Sequence, residues 1–201
     1  AVLTGVLLNT RRPNPLVLPG NTGVLHLTSV DGEDRLHVHN DTTHLVDPPI
    51  SHRRGTEVVF IRHGETYGNL DGRWQGQQDG TPTDEGRAQA TSAAAGLPQR
   101  AGLYSSRLGR AVETAEISGA ARGHTPSTAA DVEEFGFGDW EGMTTEEIRQ
   151  SHPEEAHRLF DLEEDIVRGG TGETWDRLKA RVGAAVHQLA ERHEGRRIGI
   201  V

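Results

Sequence analysis

Apolar and polar positions follow two different periods along this chain. Val58-Val59-Phe60-Ile61 is a short unbroken apolar run, and Arg62-His63-Gly64 follows it directly. A continuous apolar run of that length suits a strand covered on both faces. Glu57 to Ile61 is therefore expected to be a strand, as are Leu103 to Ser105 and Arg197 to Val201. Between these the period becomes helical. From Glu173 to Arg192, Trp175, Leu178, Val182, Val186 and Leu189 recur at core-like spacing, the apolar stripe of one long amphipathic helix. Asp84 to Gly96 is alanine-rich, with Thr83 placed as its N-cap and acidic residues in its first turn. Leu108 to Ser118 reads as a further helix. Thr145 to Gln150 and Glu154 to Leu162 read as two short helices split by Pro153. Strands alternating with helices predict an α/β fold: three layers, α/β/α, around a mostly parallel central sheet. In such sheets the active site lies at the carboxyl ends of the strands, where His63 and the end of Val201 both point.

The front of the chain has a different pattern. Ala1 to Leu8 is a short apolar stretch expected to be helical. Val24 to Val30 and Arg35 to Asn40 alternate around Asp31-Gly32, the signal of a β-hairpin. Pro48 to Gly55 carries proline, arginine and glycine, as suits an exposed joint.

Composition narrows the function. The 201 residues suit one domain with a core of ordinary size. A net charge of -9 argues against a nucleic-acid surface, although a locally positive pocket is compatible with it. With no cysteine, disulfides and thiol chemistry are excluded. No stretch approaches a membrane span. Ala1 to Leu8 is too short for a secretory signal and lacks the basic flank before it, so a cytoplasmic protein is the default expectation.

The chemistry is concentrated after the first strand. Arg62 and His63 stand side by side at the mouth of a loop that opens with Gly64. A guanidinium grips phosphoryl oxygens through its planar fork of donors. A neutral imidazole beside it can attack phosphorus and carry the phosphoryl group. Glycine lets the backbone come close to the anion. The alternative is a structural histidine at a strand end, with an arginine that pairs to a carboxylate.

The segments that follow decide between these readings. Residues 62–76 read RHGETYGNLDGRWQG, residues 105–115 read SSRLGRAVETA, and residues 134–142 read EFGFGDWEG. In this order they resemble the histidine phosphatase superfamily, in particular its phosphoglycerate-mutase-like branch. The resemblance implies that His63 accepts the phosphoryl group and that Glu134 is the general acid. It implies that Arg62 and Arg110 clamp the phosphate, and that Asn69, Gln75 and Gly76 contact phosphate or substrate. It implies no metal and no cofactor. The partner implied is a small-molecule phosphomonoester, with a homodimer also open. Hydrolysis through a phosphohistidine is the expected activity. A phosphoglycerate mutase, or a catalytically impaired phosphate-binding module, is the alternative.

The sequence departs from the family pattern in two places. Thr81-Pro82-Thr83 carries proline where relatives usually have leucine. The family also has a second active-site histidine, in a Ser-His-Gly-Gly loop after a late strand; here that strand is Arg197 to Val201. Asn40-Asp41-Thr42-Thr43-His44-Leu45 resembles the family's closing segment, and Asn21 matches a family position too. Residues 1–47 are then expected to correspond to the family's C-terminal segment, 48–55 to a joint, and 56–201 to its N-terminal and central part. That is a circular permutation, with Val201 and Ala1 expected to lie close together. A piece of a tandem array and a loop missing near Val201 are the competing accounts.

Other residues stay open at this point. Glu133 competes for the acid role but is expected to be exposed, and Glu141 to be structural. Arg73 and Arg107 are phosphate ligands or simple surface charges. Tyr67 and Trp74 stack on a substrate or pack beneath the loop. His37, His39 and His44 fit a polar strand face better than a metal site, which needs three or four converging ligands. His152, His157, His187 and His193 read as surface residues.

Overall fold

The computed structural model describes residues 24–30 and 33–41 as backbone strands, together with residues 55–97 and 102–201. The expected helix over Ala1 to Leu8, Asn21, His44, most of the joint before Gly55, and the approach of Ala1 to Val201 lie outside the described residues.

The chain opens with β1 (Val24–Val30) and β2 (Glu33–Asp41), which pair antiparallel with Val30 opposite Glu33. This is the expected hairpin, with a second strand longer than the alternation alone indicated. Next come β3 (Thr56–Ile61), the single turn α1 (Tyr67–Leu70), α2 (Asp84–Ala93), β4 (Gly102–Ser105) and α3 (Gly109–Ala120). The short β5 (Ser127–Thr128), α4 (Thr145–Ser151), α5 (Pro153–Ala156), α6 (Trp175–Arg192) and β6 (Arg197–Ile200) follow. Pro153 does more than separate two helices. It is the first residue of α5, where its missing N–H costs no hydrogen bond, and the helix relaxes into a π turn over His157–Asp161.

The strands form one sheet in the order β2-β1-β3-β6-β4-β5. β3, β6, β4 and β5 run parallel, and the hairpin adds antiparallel to β3 through β1. The apolar run in β3 explains the layering. Val58 and Phe60 face α6 in a core with Leu178, Val182, Val186, Leu189, Ile198 and Ile200. Val59 and Ile61 face the other way, into a core with Ala93, Leu97, Leu103 and Ala115 from the α2–α3 side. Both faces of the parallel strands are thus covered, as the unbroken apolar run requires. A third cluster, Trp140, Ile148, Ala156 and Ile166, supports the segment between β5 and α6.

This topology gathers the functional loops at one sheet end. Ile200 pairs with both Phe60 and Tyr104, so β3, β6 and β4 finish together. Val201 donates its N–H to the Tyr104 carbonyl (2.9 Å) and accepts from the Ser106 N–H (3.1 Å). The loops leading to His63 and to Arg110 therefore leave the sheet side by side. No helix among the described residues is long and apolar enough to cross a membrane.

Candidate active site

His63 sits two residues beyond β3, recessed but still reaching solvent. Its Nδ1 lies 2.7 Å from the Gly64 carbonyl. A carbonyl oxygen only accepts, so Nδ1 carries the proton and Nε2 keeps its lone pair. Burial pushes the ring's pKa down from 6.5 to about 3, and the Arg110 and Arg62 charges act in the same direction. His63 is therefore neutral at ordinary pH, the state a nucleophile needs.

Gly64 has a tighter role than allowing approach to an anion. A Cβ there would lie 2.2 Å from the carbonyl oxygen of Gly86, at the start of α2. Its N–H donates to the buried Thr114 hydroxyl on α3 (3.0 Å). The glycine is needed for backbone-to-backbone packing of the His63 loop on its neighbours. Thr83 caps α2 as expected, accepting from the Gly86 N–H at 2.9 Å.

Arg110 is the second residue of α3 and is only 2 % exposed. Its Nη1 donates to the Gln78 carbonyl and its Nη2 to the Gly76 carbonyl, both at 2.7 Å. Asp79 accepts the Gly109 N–H at 2.6 Å, so the 75–79 loop is stapled twice to the head of α3. The Arg110 Nε has no hydrogen-bond partner among the described residues despite being buried. An orphaned guanidinium N–H is costly unless a ligand satisfies it. Burial lowers the pKa of both Arg110 and Arg62, and the nearby Glu134 charge opposes this in each. Arg62 and Arg110 thus bring two partly desolvated positive charges close to His63.

Glu134 follows β5, and its Oε1 accepts from the Phe135 N–H at 2.7 Å. Its charge acts on both Arg62 and Arg110, so the fold brings all four residues together. Asn69 caps α1: its Oδ1 accepts from the Thr66 N–H (3.0 Å), and Thr66 in turn caps through the Asn69 N–H. The Thr66 hydroxyl lies 3.0 Å from both Asn69 Oδ1 and Gln75 Oε1. Gly76 adopts φ +56°, and a Cβ there would meet the Glu141 carboxylate at 2.4 Å. Asn69, Gln75 and Gly76 thus build the loop that Arg110 holds.

The structure settles several open residues. Glu133 is not exposed: it is 6 % exposed and accepts from Arg107 Nε at 2.8 Å. A local pattern could not show this, because the partners arrive from β4–α3 and from α6. Arg107 is taken up by that ion pair. Arg73 bonds the Gly142 carbonyl and Glu147. Glu141 is structural, accepting from the Gln77 and Phe137 N–H groups. Trp74 packs edge-on against Phe137, Trp140 and Phe160 and donates to Thr145, so it lies beneath the loop. Tyr67 is exposed. His187 is exposed, whereas His193 meets the Tyr104 hydroxyl at 2.6 Å and is partly covered. His37 and His39 lie on β2.

The sequence profile of the histidine phosphatase superfamily (branch 1) matches residues 58–201. This chain belongs to that superfamily. Among histidine phosphatase relatives, phosphoglycerate mutase-like protein 4 of Arabidopsis thaliana is 35% identical over 149 residues, covering 72% of this chain and 65% of the relative. The metal-independent phosphoserine phosphatase of the same plant is 34% identical over 151 residues, covering 73% of this chain and 63% of the relative. The chain spans less than two thirds of the length of either. Among solved structures, YhfR of Bacillus stearothermophilus superposes with a TM-score of 0.65 at 35% identity, covering 73% of each chain. A mycobacterial glucosyl-3-phosphoglycerate phosphatase gives 0.63 at 30% identity, covering 72% of each.

The His63 environment has a pH consequence. Its folded-state pKa lies below its ordinary value, so between pH 6.5 and about 3 the unfolded chain binds the extra proton and the folded chain does not. Stability should therefore fall as pH drops through that window, and part of the fall should vanish in His63→Asn. In an NMR titration the His63 ring signals should show no step near 6.5. A step there would refute the desolvated, cation-flanked site.

Proposed function

We propose that this protein is a metal-independent phosphomonoesterase acting on a small phosphorylated metabolite through a phosphohistidine. The observation that carries the proposal is His63, its Nδ1 against the Gly64 carbonyl, beside Arg62 and the buried Arg110, whose Nε has no hydrogen-bond partner among the described residues. In this reading His63 Nε2 attacks phosphorus as the ester P–O bond breaks. Arg62 and Arg110 offset the charge gathering on the phosphoryl oxygens. The Glu134 carboxyl gives its proton to the leaving oxygen. Water then attacks phosphorus as the P–N bond breaks. Its proton passes to the Glu134 carboxylate, and inorganic phosphate departs. The arginines supply the positive charge a metal would otherwise bring.

The names of the relatives support hydrolysis of an alkyl phosphomonoester, since phosphoserine and glucosyl-3-phosphoglycerate are both of that kind. Segment 143–172, read as the one that sets specificity, is rich in acidic residues, which disfavours a highly anionic substrate. Residues 1–47 are read as the family's closing segment, carried ahead of its opening strand. The pairing of β1 with β3 from Val24 to Ser29, within the same sheet, supports that assignment.

The test is phosphate release from a phosphomonoester with a metal chelator present, alongside 3-phosphoglycerate with and without its bisphosphate. Chelator-resistant phosphate release is expected. Loss of activity with chelator would contradict the metal-independent mechanism. Isomerisation without phosphate release would establish a mutase, and phosphate binding without turnover a silent module.

A further inference from the structure

Glu134 stands in a loop tied down from α6. Arg181, on that helix, donates through Nη1 to the carbonyls of Asp131 and Glu133, both at 3.1 Å, and through Nη2 to the carbonyl of Glu134 at 3.3 Å. The same guanidinium is held by Glu173, with Nε on Oε1 and Nη2 on Oε2, each at 2.8 Å. Glu173 Oε2 also accepts the Gly136 N–H at 2.9 Å. Arg181 Nη1 lies 3.7 Å from Glu133 Oε2, while Arg107 takes the other Glu133 oxygen. Phe135, the residue after Glu134, is sunk in the core, and Gln77 donates to the Glu134 carbonyl at 3.2 Å.

One ion pair therefore binds the main chain before, at and after Glu134. The Arg181–Glu173 pair is largely covered, with side chains 18% and 19% exposed. A planar fork aimed at carbonyls of the acid-bearing turn fixes where the neighbouring carboxyl stands. We propose that Arg181 and Glu173 are positioning residues for the acid: they set Glu134 at the leaving oxygen, and so govern proton delivery rather than phosphate capture. This rests on the reading of Glu134 as general acid.

Proton delivery has a signature that a merely structural role lacks. An alkoxide leaves poorly without a proton, whereas 4-nitrophenolate leaves readily without one. The experiment compares kcat/KM on glycerol 2-phosphate and on 4-nitrophenyl phosphate for the wild type, Glu134→Gln, Arg181→Met, Arg181→Lys and Glu173→Gln. General acid catalysis contributes about 10²–10⁴-fold, so Arg181→Met should cost about 30-fold or more on the alkyl ester. It should cost less than about threefold on the aryl ester. Arg181→Lys keeps the charge without the fork and should rescue only part of the loss. Glu173→Gln should shift the same ratio by less. It changes no side-chain volume, so it decides the matter if circular dichroism shows Arg181→Met unfolded. Equal losses on both esters, or none, would overturn the proposal while a selective Glu134→Gln left the acid reading standing. A Glu134→Gln variant that loses equally on both esters would sink the acid reading, and this inference with it.

Discussion

Replacing His63 with alanine should abolish turnover and leave the fold standing. A covalent nucleophile has no substitute in its own site, and losses of about three orders of magnitude or more in kcat are the rule when one is removed. The structural cost should be small. His63 lies on the loop after β3, partly open to solvent, and its ring bonds only the carbonyl of the next residue among the contacts described for it. It fills no part of the two cores that face the sheet. Removing it should change stability by about 1 kcal/mol or less near neutral pH. Circular dichroism and phosphate-release kinetics on the same preparation check both halves. Residual kcat above about a tenth of wild type would point to a different nucleophile.

Arg110→Ala should damage activity far more than Arg107→Ala. A preorganised donor aimed at developing charge is worth about 2.7–4 kcal/mol, or roughly 10²–10³ in kcat. Arg110 also holds the Gly76 and Gln78 carbonyls, so its loss frees the loop that carries Gln75 and Gly76. Arg107 has a side chain 71% exposed and ends in an ion pair with Glu133. Its removal should leave kcat/KM within about fivefold. Thermal denaturation separates capture from collapse: inorganic phosphate should raise the wild-type Tm and the Arg107→Ala Tm, and leave Arg110→Ala unmoved. Equal losses in kcat/KM for the two variants would undo the assignment of the second phosphate arginine.

The parts of this architecture that were legible in the sequence are those governed by local repetition. The stripe from Leu178 to Leu189 gave α6, and the unbroken run from Val58 to Ile61 gave a strand covered on both faces, because burial imposes those periods directly. Thr83 was readable as a cap because its hydroxyl bonds three residues ahead. The candidate site residues were legible by resemblance, since Arg62-His63-Gly64 and Arg110 stand in recognisable strings. What escaped depends on partners far away in the chain. Glu133 is buried because Arg107 and Arg181 reach it from other elements. Arg181 sits 47 residues from Glu134, and no local pattern links the two. Gly64 was readable as a glycine with a purpose, but its purpose is contact with Gly86, and no spacing rule joins those two.

The proposed chemistry turns on a bond between phosphorus and His63. The most direct measurement is a rapid acid-free quench of wild-type protein with excess phosphomonoester, followed by peptide mass spectrometry under alkaline conditions, where phosphohistidine survives. One phosphoryl group is expected on the peptide containing His63, lost on mild acid treatment and absent from His63→Ala. Turnover with no phosphorylated intermediate on that peptide, or with an acid-stable one elsewhere, would contradict it.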